Sequence, residues 1–181
     1  MDPSNVLILV LGAPFVAALF SPWAYQGLGR KWGLVVPALG AFIPIVGLLH
    51  LIQSTAQNNI PLFLSYTWVP SVNLQLSFLL DGFGGLFAFL VAGMGLLIVW
   101  YAHFYMDKDP GVGRFFASLL FFLGSMLGVC LAEHLFSLFV FWELTSISSF
   151  LLIGFWFDKE KSREGALKAL SITAGGGLIM M

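Results

Sequence analysis

Charge is what this chain lacks. Asp, Glu, Lys and Arg together make only 9% of its 181 residues, against about a quarter in a soluble domain. Mean hydropathy is +0.95, which excludes a soluble domain carrying one anchor and leaves an all-α integral membrane protein. The net charge is −1, so nothing in the composition suits a nucleic acid. Cys130 is the lone cysteine, which excludes an internal disulfide and a cysteine metal cluster. His50, His103 and His134 fall at different span ends, against a haem or metal centre. No Ser-His-Asp set or glycine-rich phosphate loop appears, and no cofactor is expected. No Lys or Arg precedes Arg30, and Asp2 stands where a signal peptide would be basic. The first apolar run is therefore expected to stay as a span.

What is present is a series of apolar runs in the lipid bilayer. Six spans are expected, at about 6–20, 32–52, 82–105, 114–131, 135–157 and 165–181. Pro14 predicts a mild kink in the first, and Ser21-Pro22 with Gly27 and Gly29 predicts a loop. In the second span Gly33, Gly40 and Gly47, and Pro37 and Pro44, recur every seven residues. Each set lies along one side, where small residues let a neighbouring backbone approach. Gly124 and Gly128 repeat that signal in the fourth span. His50 reads as an interfacial histidine or a proton relay. His103, with Trp100, Tyr101 and Tyr105, reads as an interfacial belt.

The links carry their own signals. Gln53–Asn59 is polar and reads as a loop. Between about 61 and 78, Val72, Leu74, Leu76 and Phe78 alternate with Ser71, Asn73, Gln75 and Ser77. That period of two predicts a half-buried β-hairpin turning at Pro70-Ser71. Asp81 is placed either to cap the third span or to line an ion entrance. Glu133-His134 reads as a solvated turn, His134 being otherwise a member of a polar path. Basic residues cluster after spans one, three and five: Arg30, Lys31, Lys108, Lys159, Lys161 and Arg163, with Arg114 at a flank. The loops after spans two and four contain none. By the positive-inside rule the N-terminus and the hairpin are outside. The sixth run is still apolar at Met181 with no cap, so an interrupted chain, a fragment or a split form, is expected.

Against this background Glu143 stands out. It lies in FVFWELTSISSFLLIG (Phe139–Gly154), about nine residues into its span. At ~1.5 Å per residue that is near the bilayer centre. A charge there costs roughly 2.5–3.5 kcal/mol on insertion scales, so such residues mark functional sites by default. Ser146 and Ser149 continue a polar strip inward, and hydroxyls can order water beside a carboxylate. Burial disfavours the ionised carboxyl and a nearby cation favours it, so Glu143 reads as a group that loads and releases a proton. The alternative is a permanently neutral glutamate bonding a neighbouring helix. Lys168 is either its charge partner or a lysine snorkelling from a helix end.

Three stretches then carry a resemblance. TWVPSVNLQLSFLLDGFGGLFAFL, GRFFASLLFFLGSMLGVCLAEHLFSLFVFWELTSISSFLLIGFW and EGALKALSITAGGGL resemble the N-terminal third or less of the large A-type subunit of Mrp-type multisubunit Na+/H+ antiporters. That polypeptide is similar to the antiporter-like large subunit of complex I and of membrane-bound hydrogenases. The resemblance implies the start of an antiporter-like inverted-repeat fold with discontinuous helices. It implies that Glu143 is the family's proton-translocating glutamate and that Lys168 belongs to the same polar path. It implies other membrane subunits as partners, Na+ or another monovalent cation and H+ as transported ions, and a prokaryotic plasma membrane. The family's later helices, which carry the lysine paired with the glutamate, are not in these residues. Two rivals remain: a proton-pumping subunit of a redox-driven complex, and a non-transporting scaffold that docks helices through its glycine faces.

Overall fold

The first helix begins where Asp2 can cap it. The Asp2 carboxylate accepts from the Ser4 N–H at 3.2 Å, and Pro3 fits the first helical position. A computed structural model describes residues 2–58, 60–69, 74–106 and 109–180. Helix α1, Pro3–Gly27, runs through Pro14 and Pro22, so the loop expected at Ser21-Pro22 is helical. Buried Ser21 donates its hydroxyl to the Ala17 carbonyl at 2.6 Å, and surrounding helices tolerate proline here. The break comes at Gly29, whose φ of 72° is left-handed. The short α2, Gly29–Gly33, leads into α3, Val35–Asn58.

Helix α3 also outruns its expected end. The polar Gln53–Asn58 stretch stays helical, and within it Ser54 and Thr55 donate to the Leu51 carbonyl at 2.9 and 3.0 Å. The expected glycine face packs on α1. A Cβ at Gly40 would overlap Ala17, and one at Gly47 would overlap Val10. The strands β1, Leu62–Val69, and β2, Leu74–Leu80, pair antiparallel with a bulge between Thr67 and Val69. Asn59, the expected turn at Pro70-Ser71, Val72, Asn73, Lys108 and Met181 lie outside the described residues, as do the Arg30 and Lys31 side chains.

Asp81 starts α4, Gly82–Tyr105, by accepting from the Gly84 N–H at 2.7 Å. Then come α5, Val112–Leu131, α6, Leu135–Ile153, and α7, Glu160–Met180. Among the described residues, five helices (α1, α3, α4, α5 and α6) are long and apolar enough to cross a membrane. The sixth expected span corresponds to α7, whose first turns come from the charged run Glu160–Glu164 and lower its apolarity. Helix α6 stops at Ile153, short of the expected 157. Gly154 ends it, donating back to Phe150 O at 2.9 Å, and Phe155 turns inward. The Arg114 guanidinium holds that turn, donating to Phe155 O at 3.2 Å and lying over the Phe155 and Phe157 rings.

The core has two parts along the bundle. One gathers Val10, Leu48 and Leu127 beneath Phe78 and Leu80 of β2. The other gathers Tyr25, Val99, Phe116 and Leu120 above Phe155. Helices α1, α3, α4 and α5 each supply both parts, and α7 packs on α6.

Candidate functional site

Helix α6 inverts the usual pattern of a buried helix. Its buried residues are Ser137, Ser146 and Ser148, while Leu135, Ile147 and Leu151 face outward. Apolar lipid accepts leucine at no cost, but a hydroxyl does better inside. The hydroxyl protons are already used. Thr145 and Ser146 donate to Trp142 O, Ser148 to Leu144 O at 2.8 Å, and Ser149 to Ser146 O at 2.9 Å. Each oxygen then has lone pairs left and presents itself as an acceptor.

Glu143 is eight residues after Leu135 and ten before Ile153. At about 1.5 Å per residue it is ~12 Å from one end of the helix and ~15 Å from the other. Its Oε1 is fully shielded and has no hydrogen-bond partner among the described residues. Most buried polar atoms are partnered, and an unpartnered one calls for an explanation. The oxygen lies against Gly177 of α7, where an added Cβ would overlap it. The same added Cβ would come within 3.2 Å of Trp142 Cδ1. The Glu143 carboxyl is thus held between its own helix and the backbone of α7 at Gly177.

The structure does not bring Lys168 to this carboxylate. Ala166, Thr173 and Gly177 lie within about 20° of one line along α7, while Lys168 points about 160° away from it. That line faces α6, where Ala166 meets Gly154 and Gly177 meets Glu143. Lys168 also lies nine residues before Gly177, about 13.5 Å along the axis. Its side chain is 77% exposed, and its Nζ is 3.9 Å from Glu164. Ser146 and Ser149 share α6 with Glu143. The other candidates sit at helix ends. His134 caps α6, its Nδ1 accepting from the Phe136 N–H at 3.1 Å, and Asp81 caps α4. His50 is exposed on α3, and His103 Nδ1 meets the Tyr25 hydroxyl at 3.5 Å. Among the described residues no three His, Cys, Asp or Glu side chains gather as metal ligands.

Two features escaped the sequence reading. One is Gly177, whose only signal is that it ends a glycine triplet. The other is a polar latch between the hairpin and the α5–α6 link. Ser77 donates its N–H to Ser137 Oγ at 2.8 Å and its hydroxyl to Glu133 Oε2 at 2.7 Å. Its carbonyl accepts from the Glu133 N–H at 3.1 Å. Glu133 is therefore tied to the hairpin rather than only solvated. The period-two pattern assigned Ser77 to the wet face of β2, yet it is 2% exposed, because α6 begins against that face.

Comparison with known proteins bears on the whole chain. Residues 67–116 match the family described as the N-terminus of chain 5 of NADH-ubiquinone oxidoreductase (complex I). Residues 132–181 match the transmembrane family described as NADH:quinone oxidoreductase/Mrp antiporter. A probable A/B-type subunit of a K+/H+ antiporter from Rhizobium meliloti is 43% identical over 97% of this chain and 17% of its own length. The A-type subunit of the Na+/H+ antiporter of Alkalihalophilus pseudofirmus is 38% identical over 93% of this chain and 21% of its own. This chain thus spans about a fifth of the relatives it matches. The solved Mrp complex from Dietzia sp. contains a chain that superposes with a TM-score of 0.79 at 29% identity, over 96% of this chain and 18% of that one. A chain of the membrane-bound sulfane sulfur reductase, an archaeal respiratory complex, gives 0.77 at 25% identity, over 97% and 26%. Matched in two segments by these families, and along nearly all its length by A-type antiporter subunits, this chain belongs to the family of A-type subunits of Mrp antiporters as its N-terminal region, in a multi-pass protein of the prokaryotic plasma membrane.

Proposed function

We propose that this chain is part of a multisubunit monovalent cation/proton antiporter in which Glu143 carries the proton. The observation that carries the reading is the shielded, unpartnered Glu143 Oε1 near the middle of α6. An ionised carboxylate there has to be met by a donor or a cation, and a neutral one by an acceptor. Exchange between those partners couples proton loading to charge movement. The acceptor lone pairs of Ser146 and Ser149 supply one side of that exchange, through water along α6. Each elementary charge that crosses 100 mV carries about 2.3 kcal/mol, enough to drive cation exchange. Lys168 enters as a charge on the outer face of α7, further along the polar path. His134 and Asp81 form a polar rim at the outer helix ends.

The same reading has α7 as a sixth span, with the basic loops on the cytoplasmic side and the hairpin outside. The distribution of Arg30, Lys31, Lys159, Lys161 and Arg163 supports it. Partners are the other membrane subunits of the complex, and the transported ions are Na+ or another monovalent cation and H+. A second reading is a proton-pumping subunit of a redox-driven complex, favoured by the likeness to a respiratory sulfur reductase chain.

The test is Na+-dependent proton movement in inverted vesicles holding the full complex, with and without Glu143→Gln. Assembly is checked by co-purification of the subunits. Loss of exchange in an assembled complex supports the proton carrier. Exchange at the native rate makes Glu143 structural and favours a scaffold. Proton movement that needs a redox donor instead of a cation gradient selects the second reading.

A further inference from the structure

We propose that Gly177 is a positioning residue for Glu143, so that the missing side chain on α7 sets where the proton-carrying carboxyl sits. The inference rests on the reading of Glu143 as the proton carrier. Three glycines follow one another in α7, and a glycine inside a helix costs stability relative to alanine. Their surroundings differ. A Cβ at Gly175 or Gly176 would meet nothing within 4 Å. A Cβ at Gly177 would overlap Glu143 Oε1 and come within 3.2 Å of Trp142 Cδ1. Of the three, only Gly177 is buried.

The oxygen in question is the one that has no hydrogen-bond partner among the described residues. Nothing on α6 fixes it by bonding, because the nearby hydroxyls donate to their own helix backbone. Its location is set by shape, where it lies against the flat backbone at Gly177. A methyl group at 177 fills the place of the oxygen and pushes the carboxyl along α6. Proton transfer depends steeply on placement, and a shift of about 1 Å can cost up to a hundredfold in rate.

The experiment compares Gly177→Ala, Gly176→Ala, Glu143→Ala and the double variant Gly177→Ala/Glu143→Ala in the assembled complex. Two readouts are taken: thermal stability of the complex, and cation-dependent proton exchange in inverted vesicles. Gly176→Ala is expected to exchange like the parent. Gly177→Ala is expected to lose about tenfold to a hundredfold in maximal rate, with the half-saturating cation concentration changed by less than about twofold. Removing the carboxyl removes the overlap, so Gly177→Ala lowers the melting temperature in the parent but not in the Glu143→Ala background. Additive losses of stability overturn the proposal, because Gly177 then packs against something else. Parent-like exchange by Gly177→Ala, while Glu143→Gln abolishes exchange, also overturns it and leaves the proton-carrier reading standing. Native exchange by Glu143→Gln removes both. If Gly177→Ala does not assemble, assembly restored in the double variant supports the proposal, and continued failure overturns it.

Discussion

Ser137→Ala gives a sharp test of how the hairpin is held. Ser77 sits opposite Ser65 in the β1–β2 ladder, at a position whose N–H and C=O point away from β1. Those two groups go to Ser137 Oγ at 2.8 Å and to the Glu133 N–H at 3.1 Å. Ser137 is 0% exposed, so alanine leaves the Ser77 N–H buried with no acceptor and no water. A buried donor left unsatisfied costs about 1–3 kcal/mol. The carbonyl bond and the Ser77–Glu133 side-chain bond remain, so the strand should loosen rather than detach. The expected result is a rise of roughly 5- to 150-fold in amide exchange along β2, measured by mass spectrometry on the complex in lipid discs. Ser148→Ala is the control. Ser148 is equally buried, but its hydroxyl bonds only Leu144 and Thr145 carbonyls of its own helix, so its loss orphans no donor. Unchanged β2 exchange in Ser137→Ala would refute the latch, as would an equal rise in Ser148→Ala.

Three further outcomes are expected. Gly124→Leu should abolish assembly, because a Cβ there lies 2.8 Å from Phe15 Cε2, and Phe121 packs edge-on against that ring. Co-purification of the subunits reads it, and a fully assembled complex would contradict the close α1–α5 contact. Arg114→Gln should raise amide exchange around Lys159 about fivefold, by removing the guanidinium bond to Phe155 O and its stacking on two rings. Lysine should not rescue it, since an ammonium lacks the planar fork. In a Cys130→Ser background, Lys161→Cys should react with an impermeant thiol reagent from the cytoplasmic side, and Ile60→Cys from outside. The reverse pattern would overturn the proposed orientation.

Much of this was legible without coordinates. The scarcity of charge made Glu143 conspicuous, and its distance along an apolar run placed it near mid-helix. The sevenfold spacing of Gly33, Gly40 and Gly47 announced a packing face, and α1 occupies it. The alternation before Asp81 announced a strand, and β2 forms there, paired with β1. These are properties of one element read along its own axis, so hydropathy and periodicity suffice. Local signals failed where neighbours intervene. Ser21-Pro22 and the Gln53–Asn58 stretch look like loops, yet backbone carbonyls within reach satisfy their hydroxyls, and both remain helical.

Tertiary structure decided what each element faces. The rotation of α7 about its axis turns Gly177 toward Glu143 and Lys168 away, and that rotation is set by packing against α6. The burial of Ser77 depends on Ser137, sixty positions later in the chain, arriving at the far edge of β2. The sequence by itself determined that a carboxylate sits near the middle of a long apolar helix, because hydropathy is a property of a run of side chains. Where its oxygen rests, and which residue gives it room, is a contact between helices, and only the fold creates that.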